Sequence, residues 1–438
     1  MVLSIACASP SAHAIALLSD ELKLHLPWRA KSQQPAHSFP SNLKGINNLI
    51  FQVAEVKEPG SADEDFEIPW QLINYQGELY GASLKHRENN SLEITSATKM
   101  QMPKGRGNLV FLEQINTKTA DQIETEYSLA IREGLKLRYD VSVYRVLYQT
   151  IDTFGNLTTA SGVIAVPIGI SSGAPVLSFQ HGAISNRANA PSINGKKIGT
   201  DIVLYLMGAK GYLTVVPDYS GFDNSSGLHP FLHAKSLAWS VVDLIRCVRS
   251  LAVANHYALN DQLFLIGYSE GGYATMAAQR EIEMHHADEF TITASAPMAG
   301  PYDLLGTMLQ QILSDAPFSK PVYFLYWLLA YNQIYGFKEN ISDLLAENFD
   351  TTVLELFDGE HDSNTINAAL PVIPSKLFAS NLLTALKNDD YHPIKVAMKN
   401  NDAYRWTPTS PTRLYHCLFD KGSITFNCWR YRKKPDST

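Results

Sequence analysis

Gly267-Tyr268-Ser269-Glu270-Gly271 decides the fold. This pentapeptide sits between the apolar run Leu263 to Ile266 (LFLI) and an alanine-rich stretch that starts near Gly272. It has the form G-x-S-x-G, with a strand before it and a helix after it. That context defines a nucleophile elbow, a tight turn that lifts a serine hydroxyl above the end of a sheet. The spacing has a steric cause. A sharp strand-to-helix turn puts the serine in strained backbone angles and leaves no room for side chains at Gly267 and Gly271. It also places the N–H of Glu270 at a helix N-terminus, facing the point where negative charge develops during acyl transfer. Ser269 is therefore the candidate nucleophile, Glu270 a candidate oxyanion donor, and Gly267 and Gly271 the glycines that permit the turn.

Outward from the elbow, short apolar runs alternate with amphipathic ones. Upstream, Val141 to Thr150 (VSVYRVLYQT) and Thr159 to Val166 (TASGVIAV) flank the turn residues Asp152 to Asn156, which predicts a hairpin. Pro175 to Phe179 and Tyr212 to Val216 predict buried strands. Leu232 to Leu251 carries Leu237, Val241, Leu244, Ile245 and Val248 on one helical face. Downstream, Ala274 to Ile282 predicts a helix and Thr291 to Ala299 a strand. The fold class that follows is α/β, with a mostly parallel central sheet and helices on both faces. From about Gly300 to Asn400 the pattern turns helical with proline breaks, and Arg413 to Cys417 (RLYHC) resumes a strand. Residues 301–400 are thus expected to form a helical cap inserted between two strands. Residues 126–438 make up the expected catalytic domain. Residues 15–125 form an N-terminal extension of uncertain structure, with strand-like alternation only in Leu49 to Val56 and Gly107 to Leu112.

Ligands of such sheets gather at the C-terminal strand ends. Gln180-His181-Gly182-Ala183 follows one such strand. Gly182 allows close backbone approach, and Ala183 is the second candidate oxyanion donor. The His181 ring is expected to orient this loop and not to carry protons. In this order of motifs an acid follows the serine and a histidine follows the acid. Asp420, just past RLYHC, occupies the acid position. No histidine follows it among residues 421–438, and the last one in the chain is His416.

Other residues carry weaker signals. His229 and His233 stand four apart, but no third metal ligand accompanies them. Asp218 is read as a hydrogen-bonding anchor, and His285-His286 as solvated. His361 and His392 reach the serine only through an unusual cap geometry. Tyr323, Phe324, Tyr326, Trp327 and Tyr331 line either an acyl pocket or the cap's own core.

Composition narrows the class of protein. The chain has 438 residues, 45% hydrophobic and 18% charged, enough for a large core. Its net charge of −7 argues against nucleic acid as a partner. The four cysteines, Cys7, Cys247, Cys417 and Cys428, form no CxxC pair and no disulfide framework. No apolar run is long enough to span a membrane. At the N-terminus, Ala12-His13-Ala14 has the form of a signal-peptidase site, while the basic and long apolar regions of a signal peptide are missing. Residues 1–14 therefore read either as the remnant of a signal peptide, with a secreted, periplasmic or cell-envelope location, or as a plain terminus of a cytoplasmic protein.

Many separated segments together resemble a known group. These are YDVSVY from Tyr139, TASGVIAVP, QHGAISNR, PDYSG from Pro217, GLHPFLHAKS from Gly227, GYSEGGYATMAA from Gly267, APMAGPYDLLGTM from Ala296 and WTPTSPTRLYHC from Trp406. The chain resembles the bacterial α/β-hydrolases related to secretory lipases and prolyl-oligopeptidase-like esterases, over about residues 125 to 420. The resemblance implies an α/β-hydrolase fold and a serine–acid–histidine hydrolase of carboxylic esters, without metal or cofactor. Its substrates would be small-molecule or lipid esters. Ser269 would be the nucleophile, Asp420 the acid, and Ala183 and Glu270 the oxyanion donors. The resembling group continues past the acid through a strand, a glycine-flanked histidine and a helix. This sequence departs from that pattern after Asp420 and reads as truncated or shifted in frame, so low activity and marginal folding are expected. Two alternatives stay open: a serine exopeptidase or amidase on the same fold, and a non-catalytic relative that keeps only a pocket.

Overall fold

The computed structural model describes residues 66–75, 78–86, 92–99, 105–130, 136–195, 199–222 and 227–416. Asp420, Leu49 to Val56, and three of the four cysteines lie outside them. The first strands, β1 (Phe66–Tyr75), β2 (Glu78–His86) and β3 (Leu92–Lys99), form a separate antiparallel sheet. Sequence reading gave no sign of this meander, because residues 66–99 lack a sustained alternation of apolar and polar residues.

The main sheet holds β4 (Leu109–Lys118), β5 (Val141–Ile151), β6 (Leu157–Pro167), β7 (Ala174–Gln180), β8 (Leu213–Pro217), β9 (Leu259–Tyr268) and β10 (Ala294–Met298). Their spatial order is β10-β9-β7-β8-β6-β5-β4. The sheet therefore starts at Leu109, ahead of the boundary at residue 126 drawn from sequence texture. β5 and β6 are the expected hairpin. Asp152 closes it by accepting from the Phe154 N–H at 2.6 Å and the Asn156 side chain at 3.0 Å, and Gly155 takes the positive φ of 84° that the turn needs. β7, β8, β9 and β10 run parallel to their neighbours within that group.

Alternate residues of the hairpin feed two layers, as a strand's period of two requires. Val146, Tyr148, Ala160 and Ile164 pack with Leu244, Cys247 and Val248. These belong to α3 (Ala234–Ala254), the long helix after β8. Val141 faces the other way, toward Gly208 of α2 (Thr200–Ala209), where an added Cβ would lie 2.8 Å from the valine. Ahead of these, α1 (Ala120–Glu126) is closed by a Thr119–Gln122 capping box. After the elbow, α4 (Glu270–His285) packs on β9 and β10 and against α3.

Between β10 and residue 411 the chain is helical. A π-turn at Leu304–Met308 is followed by α5 (Val322–Tyr335), α6 (Ser380–Asn388) and α7 (Pro393–Asn400). Pro321 stands at the N-terminus of α5, and Phe324, Tyr326, Trp327 and Tyr331 are all buried in the helix. Asn401 pins the end of this region to the start of α3, and Asp402 ties it back to the region's own beginning. The Asn401 side chain accepts from the Ala234 N–H at 2.8 Å, and the Asp402 carboxylate accepts from the Leu304 N–H at 2.7 Å. The chain then returns beside β10. Arg413 N–H donates to Ser295 O at 2.9 Å, and Ala299 N–H to Tyr415 O at 2.8 Å, giving parallel bridges at Thr412 and Tyr415. No helix among the described residues is long and apolar enough to cross a membrane.

Candidate active site

Ser269 stands at the carboxyl end of β9 with φ 59° and ψ −123°, in a region that non-glycine residues visit only under constraint. The constraint comes from crowding on both sides. A Cβ on Gly267 would meet Gly271 O at 2.2 Å, and one on Gly271 would meet Gln180 O at 1.9 Å. Only glycine lets the first turn of α4 lie this close to the end of β7. The Ser269 N–H donates to Met298 O at 2.9 Å, which ties the turn to β10. The serine is half-buried, and among the described residues its hydroxyl has no hydrogen-bond partner.

The 181–183 loop lies beside it. A Cβ placed on Gly182 would sit 3.6 Å from the Ser269 Cβ, so the loop and Ser269 are in contact range with no side chain between them. His181 is buried beneath, with Nδ1 2.7 Å from Gly182 O and Nε2 3.3 Å from Asp218 O. A neutral imidazole has one N–H, and the shorter contact places it on Nδ1. Holding the Gly182 carbonyl down on this ring turns the N–H of Ala183 the opposite way, since the two groups of a trans peptide are antiparallel.

Burial pushes the His181 imidazole from an ordinary 6.5 down to about 4, even though both carbonyl contacts favour its proton. The unfolded ring takes up a proton below pH 6.5 and the folded ring does not until about pH 4. Its contribution to stability is therefore complete above pH 6.5 and is lost as pH falls toward 4, by about 3 kcal/mol in all. Denaturant unfolding at pH 7 and pH 5 should show this loss in the wild type. It should be reduced in His181→Gln, and an equal loss in both proteins would refute the assignment.

Asp218 closes the floor. It is fully buried and accepts from Ser161 Oγ at 2.5 Å, from the Ser192 N–H at 2.8 Å and from Ser192 Oγ. It binds loops together and its carboxylate is saturated with donors. Glu270 carries a role that sequence reading did not find. Its side chain is buried, with Oε1 2.7 Å from His229 Nε2, and His229 Nδ1 is 2.6 Å from Ser220 O. His233 instead caps α3, its Nδ1 accepting from the Ser236 N–H at 3.3 Å. The two histidines thus serve separate jobs, and among the described residues no cluster of metal-binding side chains occurs. Cys247 is buried and free, with its thiol raised to about 12 by desolvation.

The helical region touches the loop directly. Ser185 Oγ donates to His361 O at 2.8 Å, and the Arg187 N–H donates to Gly359 O at 2.7 Å. The Arg187 guanidinium donates to Gly221 O, Asp358 O and Gly227 O at 2.9, 3.1 and 3.0 Å. His361 itself is partly exposed and is paired with Asp358 through Nδ1 at 2.9 Å. His392 caps α7, its Nδ1 accepting from the Ile394 N–H at 3.3 Å. Phe231 and Tyr326 stack with centroids 4.8 Å apart, and Tyr326 also meets Phe357. The described chain leaves at His416, one residue past the bridge that aligns Tyr415 with Met298. Met298 in turn is level with Tyr268, the residue before Ser269.

Known proteins show the same architecture. The model of the prolyl oligopeptidase family matches residues 199–388, less than half of the chain. The esterase LipA of Xanthomonas oryzae, described as rice cell wall degrading, is 27% identical with a TM-score of 0.65 in a ligand-bound form. That match covers 71% of this chain and 83% of LipA. A protein of Legionella pneumophila described as a proposed hydrolase is 29% identical, TM-score 0.64, over 70% and 83% of the two chains. Candida antarctica lipase A, at 17% identity and a TM-score of 0.50 over 71% and 69%, shares the fold. No curated protein sequence matches the chain. The strand order, the elbow and these likenesses define an α/β-hydrolase: the chain is a hydrolase by scaffold, built like the esterases and lipases it resembles.

Proposed function

We propose that the protein hydrolyses carboxylic esters of small molecules or lipids through an acyl-enzyme on Ser269. The Ser269 hydroxyl attacks the ester carbonyl and gives up its proton to a base. The resulting oxyanion accepts from the N–H groups of Glu270 and Ala183. The intermediate then expels the alcohol, which takes up a proton, and water hydrolyses the acyl-serine. The observation that carries this reading is the contact between a strained serine and a glycine loop at the carboxyl ends of adjacent strands. Residues 301–400 serve in this reading as a cap over the acyl side of the site, and Asp420 as the acid. An extracytoplasmic location rests on Ala12-His13-Ala14 and on the likeness to LipA.

The base is the open position. Residues 421–438 contain no histidine, and a serine hydroxyl without a base turns over on the order of 10⁴-fold or more below a complete triad. A peptidase or amidase reading is favoured by the match to the prolyl oligopeptidase family. A fluorophosphonate probe followed by peptide mapping tests the nucleophile, and labelling at a residue other than Ser269 would refute it. Paired p-nitrophenyl ester and p-nitroanilide substrates separate the two readings. Faster release from the ester is expected, and a faster anilide reaction would favour the peptidase.

A further inference from the structure

The two candidate oxyanion donors come from segments almost ninety residues apart, yet one buried assembly supports both. Tyr219 is the middle of it. Its ring lies 4.2 Å from that of His181 and 5.7 Å from that of His229, and its hydroxyl donates to His181 O at 3.1 Å. Phe222 also stacks on His229, at 4.6 Å. A Cβ on Gly221 would lie 2.5 Å from the His229 backbone N, so the loop that carries this stack is packed to contact. His181, Tyr219, His229 and Glu270 are all at most 1% exposed. The order of contacts is Gly182 O, His181, Tyr219, His229, Glu270, and it ends on the residue whose N–H follows the nucleophile.

We propose that His229 is a positioning residue for the oxyanion site: it holds the Glu270 peptide from beneath through the Glu270 carboxyl group, and the Tyr219–His181 stack holds the Ala183 peptide from the same support. This rests on the Ser269 acyl-enzyme reading. Proton bookkeeping explains why a histidine stands opposite this glutamate. Ser220 O only accepts, so His229 Nδ1 carries a proton. The contact between Nε2 and Glu270 Oε1 then needs one more proton, on either atom, and the pair is net neutral in both cases. A lone buried carboxylate here would oppose the oxyanion that forms a few bonds away, and would itself be costly to bury. Glu270 Oε2 has no hydrogen-bond partner, so His229 supplies the hydrogen bond to this carboxyl group.

Fluorophosphonate labelling of the full chain tests the proposal, with the maximal rate and the half-saturating probe concentration measured separately. His229→Gln keeps a donor at the Nε2 position facing Glu270, whereas His229→Asn keeps only the Nδ1 side. Loss of a whole oxyanion donor costs about 10²–10³ in rate, so a misplaced one should cost roughly 10–100-fold. His229→Asn and Glu270→Leu should each lose that much in maximal rate with half-saturation unchanged. His229→Gln should recover most of it. The double variant His229→Asn/Glu270→Leu should be no slower than either single change, because both break the same link. Equal losses in His229→Gln and His229→Asn, or additive losses in the double variant, would overturn the proposal. If His229→Asn does not fold, Glu270→Leu alone decides, and wild-type labelling in it refutes the idea. Should the wild type and Ser269→Ala both stay unlabelled, the nucleophile reading fails, and this proposal falls with it.

Discussion

Ser269→Ala is expected to abolish covalent labelling by a fluorophosphonate and to bring ester turnover down to the rate in buffer. The phosphorus–oxygen bond forms to Oγ, so the loss of labelling is complete and not graded. The fold should not change. Ser269 is half-buried and its hydroxyl binds no described group, so unfolding midpoints should match within about 0.5 kcal/mol. Exogenous imidazole sharpens the test. A serine hydroxyl is a weak nucleophile until a base accepts its proton, and free imidazole can do so in solution. Wild-type labelling should therefore accelerate as imidazole is added, while Ser269→Ala stays blank at every concentration. Labelling of Ser269→Ala would show that another side chain is the nucleophile and would remove the mechanism proposed above.

The elbow was legible because its chemistry is local. Two glycines, a serine, a strand before and a helix after all fall within about twenty residues, and each is forced by the same steric problem. The β5–β6 hairpin and the buried strands were legible for a similar reason, since their apolar runs are bounded by Asp152 to Asn156, Pro167 and Pro217. Helix ends were less exact. Helical periodicity predicts Ala274 to Ile282, whereas the helix runs from Glu270 to His285, because the first turn is written in glycines that carry no such periodicity. What sequence hid was pairing across distance. His229 and Glu270 are 41 residues apart, and neither has a local partner that marks it. A histidine in HPF and a glutamate in GYSEGG become informative only when packing brings them to 2.7 Å. Arg187 was missed in the same way, because its three acceptors are carbonyls of distant loops, which no side-chain pattern encodes.

Among the described glycines, Gly271 should be the one at which an added methyl group is most damaging. The added Cβ would lie 1.9 Å from Gln180 O and 2.7 Å from His181 O, both backbone atoms at the end of β7. No rotamer relieves such a contact, so α4 must move off the sheet by more than 1 Å or the β7 end must yield. Overpacking of a well-filled core already costs about 1–3 kcal/mol when side chains can shift. Here only backbone can shift, and a loss of at least about 3 kcal/mol is expected. Gly169→Ala provides the contrast. It has φ +83° but nothing within 4 Å of an added Cβ, so its cost is backbone strain alone, about 1–2 kcal/mol. The functional consequence follows from the same atoms. Gln180 and His181 lead directly into Gly182, so displacing them carries the loop away from Ser269. Gly271→Ala should thus lose fluorophosphonate labelling even at temperatures where circular dichroism shows it folded, whereas Gly169→Ala keeps it. If denaturant titration finds the two variants equally stable and both label normally, the close approach of α4 to β7 is not what shapes this site.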